Sequence, residues 1–212
     1  MFLYTTHMAL IPTDAPTELP RHRHGLSRGT VRASQEMRVL EATAGVVAEK
    51  GYAGTSVNAI IERAGISRKT FYELYANKEE AFLGAYAAID VVIARMTAAA
   101  AAEHDPRAMM RAGAREYLET LAGEPDFTRM LVVEAVGAGP RVLERRAEAF
   151  RDFIRVLAVP LEDPPDQALL LALLGAINEL VLQHVIEHDA ASLAELTPTV
   201  HDLIDRICFP RG

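Results

Sequence analysis

The sequence predicts an all-α protein built in two parts. An N-terminal three-helix unit with a helix-turn-helix is followed by a larger helical domain. Three observations carry that expectation. Apolar residues recur at steps of three and four in one segment after another, which is the period of an amphipathic helix. Long alternating strand patterns are absent, while alanine and leucine are abundant. Glycine or proline falls at most of the boundaries between periodic stretches, where a helix has to stop. With 212 residues, half of them hydrophobic, the chain is long enough to bury a substantial core.

Residues 1–29 are expected to form a flexible arm. Pro12, Pro16 and Pro20 are spaced through it and no helical period survives. The run Arg21, His22, Arg23, His24 suits a basic arm entering a minor groove, or a solvated tail. Met8 is an alternative start. The first residues lack a basic segment followed by a long apolar run, so they make a poor secretory signal. The first helix is expected over residues 30–50, with Met37, Leu40, Ala44 and Val47 buried and Gly51 ending it.

Residues 55–78 have the pattern of two short helices joined by a tight turn. Val57, Ile60, Ile61 and Ala64 share one helical face, and Thr55 or Ser56 caps its start. Gly65 sits where a left-handed stop is needed. Ser67 caps the second helix, whose inner face is Phe71, Leu74 and Tyr75. Its outer face begins with Arg68, Lys69, Thr70 and Tyr72. Arginine and lysine donate to guanine edges, threonine offers a hydroxyl or a methyl, and tyrosine reaches phosphate. The expected DNA-contacting set is Thr55, Ser56, Ser67, Arg68, Lys69, Thr70, Tyr72, Tyr75 and Lys78. Asn77 caps a following helix, with Glu80 completing a capping box.

The matching positions Thr55, Ile60, Ala64, Gly65, Ile66, Ser67, Thr70, Phe71, Tyr72, Lys78 and Glu79 resemble the DNA-binding signature of the tetracycline-repressor (TetR) family. The resemblance covers roughly residues 33–85. Ile61 stands where alanine is common, Tyr75 where phenylalanine is usual, and Glu73 puts an acid on the reading helix. The resemblance implies a dimeric one-component transcriptional regulator of the repressor type. It would bind a near-palindromic double-stranded operator and be released by a small, mostly apolar ligand. A constitutive, ligand-independent repressor is the variant of that reading. The implied domains are residues 30–80 for DNA binding and 81–212 for ligand binding and dimerisation.

Beyond the signature, Phe82, Tyr86, Ile89, Ile93 and Met96 predict one long helix over residues 78–102, a lever between the two parts. Helices are expected over residues 105–121, 126–135 and 141–159, separated by Gly123 and by Gly137 to Pro140. Residues 166–187 are apolar nearly all round, so that helix is buried on more than one side. A last helix ends near residue 208. The resemblance implies that the last two helices pair with those of a second subunit. Leu170, Leu174, Ile177, Val181, Val185, Leu196, Val200 and Leu203 are the expected interface. It also implies a ligand cavity, for which Tyr86, Ile89, Ile93, Met96, Met109, Met110, Tyr117, Phe127, Met130, Phe150, Phe153 and Asn178 are the candidates.

The net charge is −7, but residues 21–80 hold ten basic and seven acidic residues while residues 81–212 are strongly acidic. Basic charge therefore gathers where the helix-turn-helix lies. One cysteine, Cys208, excludes an internal disulfide and suits a cytoplasmic location. No run of 18 or more consecutive apolar residues is present, so no membrane partner is expected. The rival class is an enzyme. His184, Glu187 and His188 match H-x-x-E-H, an inverted zinc-protease pattern, with little chain left to supply another ligand. A cation at a helix C-terminus accounts for the same residues. No cofactor and no catalytic residue is expected.

Overall fold

The computed structural model describes residues 27–210. Most of the predicted arm, including residues 21–24 and Met8, lies outside the described residues. Its last positions do not belong to an arm: the Ser27 hydroxyl accepts from the Thr30 amide at 3.1 Å and caps a helix, α1, spanning Arg28–Gly54. That helix kinks at Gly51, whose φ of 69° lies in the region that favours glycine.

Ten α-helices are present among the described residues, with no strand. After α1 come α2 (Val57–Ala64), α3 (Arg68–Leu74) and α4 (Lys78–Tyr86). The larger part holds α5 (Ala88–Ala101), α6 (Pro106–Gly123), α7 (Pro125–Val132), α8 (Pro140–Ala158), α9 (Gln167–Glu187) and α10 (Thr197–Cys208). Short tight-wound turns at Glu134–Gly137 and Ala190–Leu196 lead into α8 and α10. Asp105 and Asp166 cap α6 and α9 by accepting from the Ala108 and Leu169 amides at 2.9 and 2.8 Å.

The helix-turn-helix has a small core of its own: Val39, Ala42, Ile60, Ala64, Phe71 and Ala81. The opposite side of α1, through Leu40, Ala44 and Val47, packs into the large core with Phe82, Tyr86 and Ile89. The first helix is thus shared by both cores, and α4 crosses from one to the other between Ala81 and Phe82.

The single long helix expected over residues 78–102 is two helices. Ala87 ends α4, and the Asp90 amide bonds back only three residues to the Ala87 carbonyl, at 3.0 Å. The bend lets each half choose a different neighbour. α4 packs on α1, and α5 packs along α6.

By length and composition alone, Lys78–Ala101 and Gln167–Glu187 are apolar enough to cross a membrane. The first is the bent pair just described. The second packs one face into the large core through Leu170, Leu173, Leu174, Ile177, Val181 and Val185. Only 33% of its apolar stretch is buried within the chain, and its outer face is exposed.

Candidate nucleic-acid interface and effector cavity

The turn of the helix-turn-helix is built from local signals. The Ser56 hydroxyl accepts from the Ala59 amide at 3.2 Å and starts α2. Gly65 ends it in the left-handed conformation, φ 61° and ψ 39°. The Ile66 amide then reaches back to the Ile61 carbonyl at 3.3 Å, closing a six-residue helix stop. Arg38 of α1 donates to the Ala64 and Gly65 carbonyls at 3.2 and 3.4 Å. Those carbonyls would otherwise be orphans of the helix end. The Ser67 hydroxyl accepts from the Thr70 amide at 3.0 Å and opens α3.

This framework presents the start of α3 to solvent. Phe71 is fully buried and anchors the helix, while Arg68, Lys69 and Glu73 are exposed. Tyr72 is 48% exposed and stands edge-on to Phe71, with ring centroids 5.4 Å apart. Arg68 donates to the Asn58 side-chain oxygen of α2, which aligns the guanidinium across the two helices. Lys69 and Glu73 approach within 3.7 Å, but both are exposed, so the pair holds neither firmly.

The other predicted DNA contacts are already occupied. Thr55 is buried and donates to the Gly51 carbonyl at 2.8 Å. Ser56 and Ser67 are helix caps. Tyr75 points inward and donates to a Glu36 carboxylate oxygen at 3.3 Å; burial first, then Glu36, raises its phenol well above the usual value. Lys78 donates to the Tyr52 and Thr55 carbonyls at 2.9 and 3.0 Å and lies over the Tyr52 ring at 4.3 Å. It fastens the end of α1 to the start of α4, with one N–H left for a phosphate.

The second domain contains a small, partly enclosed cavity of about 20 Å³. Six candidates line it: Tyr86, Ile89, Tyr117, Phe150, Phe153 and Asn178. Met96, Met110, Phe127 and Met130 are buried elsewhere in the same core, and Ile93 and Met109 are half-buried at its edge. Arg146, Leu121, Leu131, Val132, Ala149 and Leu174, none of them expected there, complete the wall. Arg146 had a legible signal, being an arginine between Val142 and Phe150 on the inner stripe of an amphipathic helix. A larger open groove, about 830 Å³, runs beside the α4–α5 bend. Its polar groups already have partners: Glu36 with Tyr75, and Asp90 with Arg145 at 2.6 Å.

The expected subunit contacts lie largely inside the chain. Leu170, Leu174, Ile177, Val181, Val185 and Val200 are buried inside the chain itself, and Leu196 and Leu203 are half-buried. An all-round apolar helix gives no sequence signal for which face turns inward. The outward face of α9 is instead Leu169, Leu171, Ala172 and Ile186, with exposures of 49% for the two leucines and 56% for the isoleucine.

The H-x-x-E-H residues do not gather a metal-binding set. His184 pairs with the Ser192 hydroxyl at 2.7 Å and stacks on His188 at 4.8 Å. Among the described residues, no three His, Cys, Asp or Glu side chains converge to hold an ion.

Beyond the shared core packing, polar contacts join the parts, among them Arg63 of α2 with Asp126 of α7 at 3.9 Å. A Glu134 carboxylate oxygen accepts from the Tyr52 amide at 2.8 Å. Arg141 reaches Glu79 and Glu80 at 3.3 and 3.7 Å. Glu134 follows closely on Leu131 and Val132, so a wall of the cavity is tied to the end of α1.

Residues 39–85 match the family model described as bacterial regulatory proteins, tetR family. No curated protein sequence matches the chain. Among solved structures, the transcriptional regulator FadR from Bacillus subtilis, in complex with stearoyl-CoA, is similar at 19% identity and a TM-score of 0.71; the match covers 83% of this chain and 99% of that one. The fatty acid degradation regulator FadR from Bacillus halodurans is similar at 17% identity and 0.72, over 80% and 94%. A TetR-like transcriptional regulator from Rhodococcus sp. RHA1 follows at 24% and 0.66, over 85% and 97%. At these identities the likeness is one of fold. Joined to it, the family match gives residues 39–85 the helix-turn-helix of the tetR family, in a chain that shares its overall fold with TetR-family transcriptional regulators.

Proposed function

We propose that the protein is a homodimeric, cytoplasmic repressor that reads a near-palindromic operator through α3 and is released by a small amphipathic effector. The carrying observation is the start of α3, where Arg68, Lys69 and Tyr72 are exposed around a buried Phe71. In a helix-turn-helix this end of the second helix meets base edges. The outward apolar face of α9 supports a second subunit as its cover, because an apolar helix face of this length is costly to leave in water. The effector reading is supported by a cavity tied to α1 through Glu134, and by a neighbour of the same fold whose structure holds an acyl-CoA.

A constitutive repressor is the second reading, favoured by the small size of the cavity, about 20 Å³. The Tyr86 and Tyr117 hydroxyls on its wall, which have no protein partner, weigh against that. Selection of duplexes from a random pool tests the proposal. It should enrich a two-fold symmetric site whose half-sites lie about 34–36 Å apart or slightly more. Recovery of unrelated duplexes, held by salt-sensitive contacts alone, would refute it.

A further inference from the structure

Four polar side chains line the small inner cavity: Tyr86, Tyr117, Arg146 and Asn178. Among the described residues none of the four has a hydrogen-bond or ion-pair partner. The Arg146 guanidinium lies over the Phe150 ring, at 4.3 Å from its centroid. Several other polar groups in the interior are paired: Thr43 and Thr128 each donate to a carbonyl at 2.7 Å. The Tyr86 and Tyr117 side chains are nine-tenths buried, Arg146 and Asn178 half-buried, so the four leave donors facing this space that no protein acceptor takes up.

The cluster favours one sign of charge. Burial pushes the Tyr86 phenol up to about 12 and Tyr117 in the same direction, so both keep a proton to donate. Arg146 adds a fork of donors, and Asn178 an amide. No carboxylate lines the cavity. On the outer side of Arg146 and Phe150 lies a groove of about 620 Å³ between α8 and α9. Its walls are apolar at Ile154 and Leu171, carry a second arginine, Arg151, and again include no acid.

Resting on the effector reading above, we propose that this site takes an amphipathic anion. Its carboxylate or phosphate head is held by Arg146 with the two tyrosine hydroxyls, and its aliphatic tail lies along Phe150, Ile154 and Leu171. The volumes set this orientation. The outer groove, about 620 Å³, has room for a chain, whereas the inner space of about 20 Å³ admits no more than one small group, so the head sits at Arg146, where the two spaces meet. Leu171 also belongs to the outward face of α9, so the tail lies beside the seam assigned to the second subunit.

The test is calorimetric titration of the full chain with four probes sharing a twelve-carbon tail: dodecanoate, dodecyl phosphate, dodecanol and dodecyltrimethylammonium. The anions should bind at least about tenfold tighter than the alcohol, the factor one charge-assisted hydrogen bond carries. Dodecanoate against dodecyl phosphate shows which head is preferred. Arg146→Ala should erase the preference and leave dodecanol binding within about twofold, which also shows that the groove is still folded. Arg146→Lys, with the charge but not the fork, should recover part of it. Equal binding of anion and alcohol by the wild type, tighter binding of the cation, no binding of either anion, or an unchanged preference in Arg146→Ala would each overturn the proposal. Operator binding is measured in parallel. If dodecanoate binds through Arg146 but the operator stays bound, the anion site stands and the effector reading falls.

Discussion

Gly65 shows how much one residue decides. Its φ of 61° turns the chain between α2 and α3, and Arg38 fastens the two carbonyls beside it. An alanine there has room but not the conformation. Gly65→Ala should cost about 1–2 kcal/mol, read as a lower melting temperature. An unchanged melt would mean that the turn relaxes freely. Tyr86 makes a second residue-scale prediction. The unfolded chain loses this proton near 10.0, while burial holds it to about 12 in the folded chain. The folded state therefore binds the proton more tightly. The Tyr86 contribution to stability is flat in pH below 10 and falls from there toward 12, by on the order of 3 kcal/mol. Denaturant melts across that range check it, and stability that rises with pH would contradict it. The caps Ser56, Ser67, Asn77, Asp105 and Asp166 were all legible or nearly so in the sequence, because a cap acts over three residues. The Lys78 clamp on Tyr52 was not, because it closes across 26 positions that only the fold brings together.

At the scale of elements, the helix-turn-helix could be read from periodicity and turn chemistry because its two helices are adjacent in sequence. The bend at Ala87 could not. Both halves share one apolar period, and neither glycine nor proline marks the joint. The bend also changes how a signal would travel. A straight lever from residue 78 to 102 is absent, and the tie between Glu134 and the Tyr52 amide offers a second route from cavity wall to reading domain. Glu134→Ala should therefore shrink the factor by which an effector weakens operator binding, which is typically about 5- to 150-fold. Effector affinity for the free protein should change little. The check is operator titration at saturating effector, in wild type and variant. An equal release factor in both would remove Glu134 from the route.

The whole molecule is polarised. Its acidic bulk lies in residues 81–212 and its exposed arginine and lysine at the start of α3. A second subunit on the outward face of α9 would place two such ends on one side of the assembly. Ala172→Glu combined with Ile186→Glu should give folded monomers by light scattering. Leu174→Glu with Val181→Glu should unfold the chain instead, since both side chains are core. If the first pair leaves a dimer intact, the interface lies elsewhere. The fold class was legible because helices repeat locally. Which side of α9 faces the core was not, because that choice depends on α8 and α10 rather than on α9 itself.

The central claim is that the N-terminal end of α3 reads bases. The most direct measurement is the affinity of the Arg68→Ala, Lys69→Ala double variant for the selected duplex and for a scrambled one, at fixed salt. Each side chain that reads a base should contribute about 1–3 kcal/mol, so the account predicts that the variant binds the two duplexes almost alike. A double variant that still prefers the selected duplex as strongly as the wild type does would contradict it.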